Sequence, residues 1–310
     1  MTALLSRAAP HALVLSMATF VLILAALEPA FLSGSNLIGI LRSVSLIGIM
    51  ALGMTFVIMT GGIDLSVGPV SAIAGLVAYF TLLSGYGVGA ALLAGAGLGL
   101  VIGIANGLLV ASLGLPAIIV TLGTLSIVRG TALLLGGPEL HGIRDQAAYS
   151  FIGAGNLGGM PVPVLIFLVL AALAWVLQER TPFGTMVAAV GDNERAAWLS
   201  GLNVTAIKAT VYGLCGCLAG VAGMIQSSQV HTASATYGKF GTELDVIAAV
   251  VLGGTQLSGG AGSVARTLLG VLFLGVLNNG MNILNVPIDI QLIAKGAIIV
   301  VALSVAARRA

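Results

Sequence analysis

The sequence predicts an all-α fold, a polytopic transmembrane helix bundle of about ten hydrophobic segments with broken or re-entrant helices. Three observations predict it. Hydrophobic residues are 58% of the chain and charged residues 7%, against about 25% charged in ordinary globular domains. Mean hydropathy is +1.14, and the 310 residues hold roughly ten spans at about 20 residues each. The pattern GGxxLSxG occurs twice, at 61–68 and 253–260, 192 residues apart and each time at the end of an apolar run. Paired glycines followed by Leu-Ser break one helix and start another. In a membrane such breaks survive only where protein or a watery cavity surrounds the freed backbone. Matching breaks in two halves of an apolar chain point to a transport pathway.

The apolar segments fall near 12–32, 37–59, 67–84, 88–112, 117–136, 162–178, 204–228, 244–253, 264–284 and 288–307. Pro29, Pro116, Pro161 and Pro287 stand at their edges, where proline does least harm. The first is too long for the 7–15-residue core of a signal peptide and reads as a retained span. The fourth carries Gly95, Gly99, Gly103 and Gly107, a stripe on one helix face that lets a neighbouring backbone approach closely. The segment at 244–253 is too short to cross a ~30 Å core as a helix and reads as re-entrant or broken. Cys215 and Cys217 lie inside the seventh segment. Positions i and i+2 of a helix point apart, so they read as small buried side chains rather than a disulfide or metal pair. The whole chain, 1–310, reads as one integral membrane domain.

With the N-terminus inside, Arg7, Arg180, Arg195, Lys208, Arg266, Arg308 and Arg309 lie on or near the cytoplasmic side. Arg144 and Lys239 lie in outer loops, while Arg42, Arg129 and Lys295 fall within or beside spans. The balance follows the positive-inside rule. It places the polar stretch of about 137–161, with Glu139, His141, Arg144 and Asp145, outside. It places the more charged stretch of about 179–203 in the cytoplasm.

The candidate pathway residues cluster at the breaks. In the first copy they are Gly61, Gly62, Asp64 and Ser66, and in the second Gly253, Gly254 and Ser258. A carboxylate at membrane depth is a functional hypothesis by default; Asp64 equally suits capping the next helix or accepting bonds from the broken backbone. Glu243 and Asp245 precede the second break on the same terms. Asn278, Asn282 and Asn285 share one helix face by their i, i+4, i+7 spacing. Amides facing a pathway suit a hydroxylated substrate; amides bonding helix to helix explain the spacing as well. In the cytoplasmic stretch, Asp192 or Asn193 caps a short helix, Glu194 favours its N-terminal end, Arg195, Ala196, Ala197, Trp198 and Leu199 continue it, and Gly201 stops it. Such a helix between two spans suits docking of another protein, or lying in the membrane interface.

A net charge of +2 carries no nucleic-acid signal. The histidines, His11, His141 and His231, have no metal-ligand spacing. There is no GxxxxGK[ST], HExxH or GxSxG, so the sequence predicts no catalytic residues and no phosphate-binding loop.

Taken together, ALGMTFVIMTGGIDLSVG (51–68), NGLLVASLGLPAIIVTLGTLSIVRG (106–130), PVPVLIF (161–167), VGDNERAAWLSGLNV (190–204), ELDVIAAVVLGGTQLSGGAGSV (243–264) and LLGVLFLGVLNNGMNIL (268–284) resemble the permease subunits of bacterial ATP-binding-cassette importers. The resemblance runs from about Asn36 to Ala302 and is nearest to the ribose/monosaccharide branch, whose motifs autoinducer-2 permeases share. It implies a multi-pass protein of the bacterial inner membrane that moves a ribose-like pentose or hexose. It implies as partners a second permease subunit (identical or a paralogue), an ATP-binding-cassette ATPase subunit and a periplasmic sugar-binding protein. ATP and magnesium would reside on the ATPase, with no cofactor on this chain. Ala196, Ala197 and Gly201 are similar to the family's coupling motif. Many members carry Glu where this chain has Arg195, with Glu194 one place earlier. An ion-coupled secondary transporter is the alternative, along with an autoinducer-2 or nucleoside permease of the same family.

Overall fold

The computed structural model describes the backbone of residues 2–144, 146–238 and 241–307. Asp145, Lys239, Arg308 and Arg309, all part of the charge argument, lie outside the described residues, as does the side chain of Arg7. The architecture is all-α. In chain order the helices are α1 (Thr2–Leu27), α2 (Gly34–Met59), α3 (Val67–Leu83), α4 (Val88–Ser112), α5 (Ala117–Gly136), α6 (Ala147–Ala154), α7 (Val162–Glu179), α8 (Pro182–Asp192), α9 (Glu194–Leu199), α10 (Val204–Gln229), α11 (Thr242–Leu252), α12 (Val264–Ile283) and α13 (Ile288–Ala307). A 3₁₀ turn, Pro29–Leu32, bends the chain between α1 and α2.

Among the described residues, α2, α4, α5, α7, α10 and α12 are long and apolar enough to cross a membrane. That is fewer than the expected ten, for a physical reason in two cases. The 17 residues of α3 rise about 26 Å and the 11 of α11 only about 16 Å, against a core of ~30 Å. Both are the partners of a glycine break, and α11 is the short segment read as broken.

The centre of the bundle is the second half of α2, where Gly48 through Thr60 are all buried. Against α2 lie α10, α12, α7 and α11. Helix α12 runs antiparallel to α2. Asn36 and Asn279 exchange amide hydrogen bonds at 3.0 and 2.8 Å, and Thr55 and Thr267 share a hydroxyl bond at 2.9 Å nearer the other end. The glycine stripe of α4 is buried throughout and meets α10. A Cβ on Gly99 would lie 2.2 Å from the Gly216 carbonyl oxygen, and one on Gly216 would lie 2.1 Å from that of Gly99. The two backbones touch, as the small-residue stripe predicts. Within α10, Cys215 is buried and Cys217 partly so, and both are free thiols.

Two short strand pairs join stretches between the helices. Strand β1 (His141–Gly142) pairs antiparallel with β4 (Thr232–Ala233), and β2 (Asn156–Leu157) with β3 (Met160–Pro161). After β4 the chain descends to the start of α3, where a Cβ on Gly68 would lie 3.1 Å from the Gly238 carbonyl oxygen. The Arg129 guanidinium of α5 donates to the carbonyls of Ala235, Tyr237 and Gly238. It satisfies backbone that has no helix of its own. Lys295 pairs with Asp245 at 2.9 Å and ties α13 to α11.

Candidate translocation and coupling site

The first break follows Met59. The amide of Gly61 donates to Ile58 and that of Gly62 to Val57, closing α2 with Gly61 in the left-handed region at φ 75°. Asp64 is fully buried. Its Oδ1 accepts from the Ser66 amide at 2.9 Å and from the Ser66 hydroxyl at 2.6 Å. The string continues: Asn106 Nδ2 donates to Ser66 Oγ at 3.1 Å, and Thr124 donates to Asn106 Oδ1 at 2.6 Å. Thr121 donates to the Ile63 carbonyl at 3.1 Å. The freed backbone at the head of α3 is thus held by α4 and α5, which makes the break viable at depth. Among the described residues Asp64 Oδ2 has no hydrogen-bond partner.

The second break lies against the first. The Gly260 amide donates to the Met59 carbonyl at 2.9 Å. A Cβ on Gly61 would lie 3.5 Å from the Ser258 carbonyl oxygen, and one on Gly259 would lie 2.9 Å from the Gly61 nitrogen. The end of α8 completes the junction. A Cβ on Gly191 would sit 1.8 Å from the Met59 carbonyl oxygen and 2.5 Å from the Gly260 nitrogen, contact that only glycine permits. Both breaks therefore meet on one side of the bundle, beside the segment read as cytoplasmic.

The two copies are not alike in conformation. In the first the one left-handed glycine is Gly61; in the second it is the other glycine of the pair, Gly254, at φ 84°, and Gly259 and Gly260 are left-handed as well. Gly62 instead abuts the buried Tyr212, with the phenol oxygen 2.2 Å from a built Cβ. In the first copy α3 begins within the motif. In the second, α12 starts only at Val264, capped by Ser263, whose hydroxyl accepts from the Arg266 amide at 3.4 Å. Ser258 and Gly254 are exposed, whereas Gly253 is buried against α12.

The asparagine face is elsewhere. Asn278 lies beside Asn279, which pairs with Asn36 at the start of α2, so it sits about 35 Å along α2 from Met59. Its Oδ1 has no hydrogen-bond partner among the described residues. Asn282 accepts from Gln291 at 2.9 Å, and Asn285 forms the α12–α13 turn with φ 53°. The three amides share one face of α12 and its end but lie at a different height from the breaks, since helix phase fixes the face and not the height.

The stretch read as cytoplasmic forms two helices, α8 and the expected short helix α9. In α8, Thr181 caps the start by accepting from the Phe183 amide at 3.2 Å. Asp192 ends α8, and Asn193 caps α9 by accepting from Ala196 at 2.9 Å. Glu194 pairs with Lys208 of α10 at 2.6 Å. Arg195 lies over the Trp198 ring, 4.6 Å from its centroid. Ala197 is 5% exposed and faces the protein, whereas Ala196 is exposed, Trp198 is 55% and Leu199 69% exposed. Gly201 closes the segment at φ 87°.

Between this segment and the first break lies a cleft of about 240 Å³, lined among others by Thr60, Gly61, Gly62, Glu194, Lys208 and Tyr212. Among the described residues no three His, Cys, Asp or Glu side chains group to hold a metal ion. The site is built from helix ends, glycines and amides, which suits movement of chain segments past one another. Sequence reasoning missed Gln178, Arg129 and Tyr212. Each acts on a part of the chain remote in sequence, which no local pattern reports.

Residues 36–303 match the family described as "Branched-chain amino acid transport system / permease component". The chain is 41% identical over 283 residues to the ribose import permease protein RbsC of Bacillus subtilis (strain 168), covering 91% of this chain and 88% of that protein. It is 42% identical over 296 residues to the ribose import permease protein RbsC of Escherichia coli (strain K12), covering 94% and 91%. It is 36% identical over 274 residues to the L-arabinose ABC transporter permease protein AraH of Azospirillum brasilense, covering 88% and 80%. No solved structure matches it. With a match over most of its length and a bundle of apolar helices suited to the inner membrane, the chain belongs to this family of multi-pass permease components of ATP-binding-cassette importers.

Proposed function

We propose that this chain forms the path by which a monosaccharide, ribose or a similar pentose or hexose, enters the cell, driven by ATP hydrolysis on separate subunits. One observation carries the coupling: both glycine breaks and the end of α8 touch one another at Met59, Gly191 and Gly260. Displacement of α8–α9 by a docked ATPase therefore bears on both breaks at once. The sugar follows from the relatives, named for ribose and L-arabinose import.

In this reading Trp198 and Leu199 meet the ATPase, and a periplasmic sugar-binding protein delivers substrate to the opposite face. A second permease, identical or a paralogue, completes the pathway. ATP and magnesium bind to the ATPase and not to this chain, which works as one membrane domain with partial as well as full crossings among its ten apolar segments. Asp64 and Ser66 hold the pathway's helix break rather than grip the sugar, since affinity resides in the binding protein.

The test is co-purification with a co-expressed ATP-binding-cassette ATPase and sugar-binding protein, reconstitution in vesicles, and a screen of sugars for stimulated ATP hydrolysis and uptake. A pentose or hexose is expected to stimulate both. ATP turnover by this chain alone, or uptake driven by an ion gradient without ATP, refutes the reading.

A further inference from the structure

Gln178 sits on the last turn of α7, 9% exposed. Its Nε2 donates to the Gly262 carbonyl at 2.9 Å, and its Oε1 accepts from the Val264 amide at 2.8 Å. Gly262 belongs to the second break and Val264 is the first residue of α12. One side-chain amide thus grips both ends of the peptide pair through which the break becomes a helix. Behind it, Gln178 is locked to α8. A Cβ on Gly184 would lie 1.9 Å from the Gln178 carbonyl oxygen. The Thr181 hydroxyl also bridges the corner, donating to Leu177 O at 2.6 Å and accepting from the Phe183 amide at 3.2 Å. The α7–α8 corner cannot turn without moving Gln178, and Gln178 cannot move without pulling on Gly262 and Val264.

We propose that Gln178 is a positioning residue that transmits displacement of α8–α9 to the second glycine break and so to the start of α12. The inference rests on the reading of the chain as an importer permease. An amide suits the role because it engages a donor and an acceptor of the main chain together. A leucine of similar size fills the space yet slides past, leaving Gly262 O and Val264 N–H without this partner.

The test reads the break itself. A cysteine replaces the exposed Ser258, with Cys215 and Cys217 changed to alanine. The permease is assembled with its ATPase and binding protein in vesicles. The rate of modification by a water-soluble maleimide is then measured with and without ATP and magnesium. With Gln178 present the rate is expected to differ about fivefold or more between the two states, the range typical of coupled sites. Gln178→Leu is expected to bring the ratio close to one while the ATPase still co-purifies, a combination that a purely structural role does not give. Gln178→Glu keeps the Val264 bond but sets a carboxylate oxygen against the Gly262 carbonyl, and is expected to reduce the ratio. It serves in place of Leu if that variant fails to assemble. A full nucleotide response in either variant overturns the proposal, as does the absence of any response in a complex that transports. A wild-type complex with no ATP-driven uptake of any sugar overturns the importer reading, and the inference with it.

Discussion

Replacing Gly99 by alanine tests the α4–α10 seam quantitatively. The added methyl would lie 2.2 Å from the Gly216 carbonyl oxygen, whereas ordinary contact begins at 3.4 Å, so the helices must part by about 1.2 Å at this point. The obstructing atoms are backbone on both sides, and no rotamer change relieves the clash. Overpacking of a close-packed interior costs about 1–3 kcal/mol. A gap of 0.5–1 Å also forfeits a quarter to a half of each dispersion contact, here along a seam that includes Gly95, Gly103 and Gly107. Alanine gains up to about 1 kcal/mol over glycine in helix propensity, so a control is needed that gains the same. Gly97 lies on the same helix, and a Cβ there meets nothing within 4 Å. The propensity gain cancels in the comparison, and Gly99→Ala is expected to be less stable than Gly97→Ala by about 1–3 kcal/mol. The assay is the unfolding midpoint of the purified protein in mixed detergent and SDS, read by circular dichroism. Equal midpoints for the two variants would refute the claim that backbone contact at the glycine stripe holds the bundle together.

Asp64→Asn is expected to fold nearly as well as the natural chain, because the amide oxygen still accepts from Ser66. Asp64→Ala leaves the buried Ser66 amide without that partner and should lose about 1–3 kcal/mol, measured as a fall in melting temperature in detergent. Leu199→Asp, on the exposed side of α9, should leave the permease in the membrane yet abolish co-purification with the ATPase. Ala197→Asp, at a site 5% exposed, should instead lower the amount of folded permease, since burying a charge costs several kcal/mol; membrane fractionation and pull-down distinguish the two. Gly254 has space for a side chain but a left-handed backbone. Gly254→Asn should therefore retain more sugar uptake than Gly254→Val, since asparagine tolerates that region, and equal losses would show that backbone conformation is not the constraint.

The parts of this fold that were legible in the sequence are those set by local chemistry. Helix positions follow from apolar runs ending at proline, glycine and capping residues, as with Asn193 and Gly201. The stripe at Gly95–Gly107 announces a close helix contact because its four-residue period leaves no other face for it. The two GGxxLSxG copies announce breaks because paired glycines followed by Leu-Ser interrupt an apolar run. What stayed hidden is how distant pieces meet. Nothing in either copy says that Gly260 bonds to Met59, or that left-handed geometry falls on the first glycine of one pair and the second of the other. Asn278, Asn282 and Asn285 share a phase with one another, but height along the bundle depends on where α12 begins, and that depends on the length of the second break. Ala197 enters as a docking residue through its similarity to the family's coupling motif; in the fold it is buried against its own chain. Gln178 is one amide at the end of an apolar run, and its role exists only because α8 folds back onto it.

The hold of Arg129 on Ala235, Tyr237 and Gly238 has a consequence in time. The arginine and its carbonyls are separated by 106 to 109 positions, and a ribosome adds about 5–20 residues per second. Some 5–20 s therefore pass during synthesis between the emergence of this guanidinium and that of the groups that receive its protons. Throughout that interval a cation belonging to the fifth helix has none of its final partners. An unpaired cation is costly at membrane depth and cheaper near water or lipid headgroups, so the helix is expected to settle to its final depth after α10 and the segment behind it have been made. The expected order of assembly has α5 waiting for a loop from the far half of the chain. A truncation ending between Gln229 and Ala235 should leave that helix shallow and exposed to the membrane's quality-control proteases.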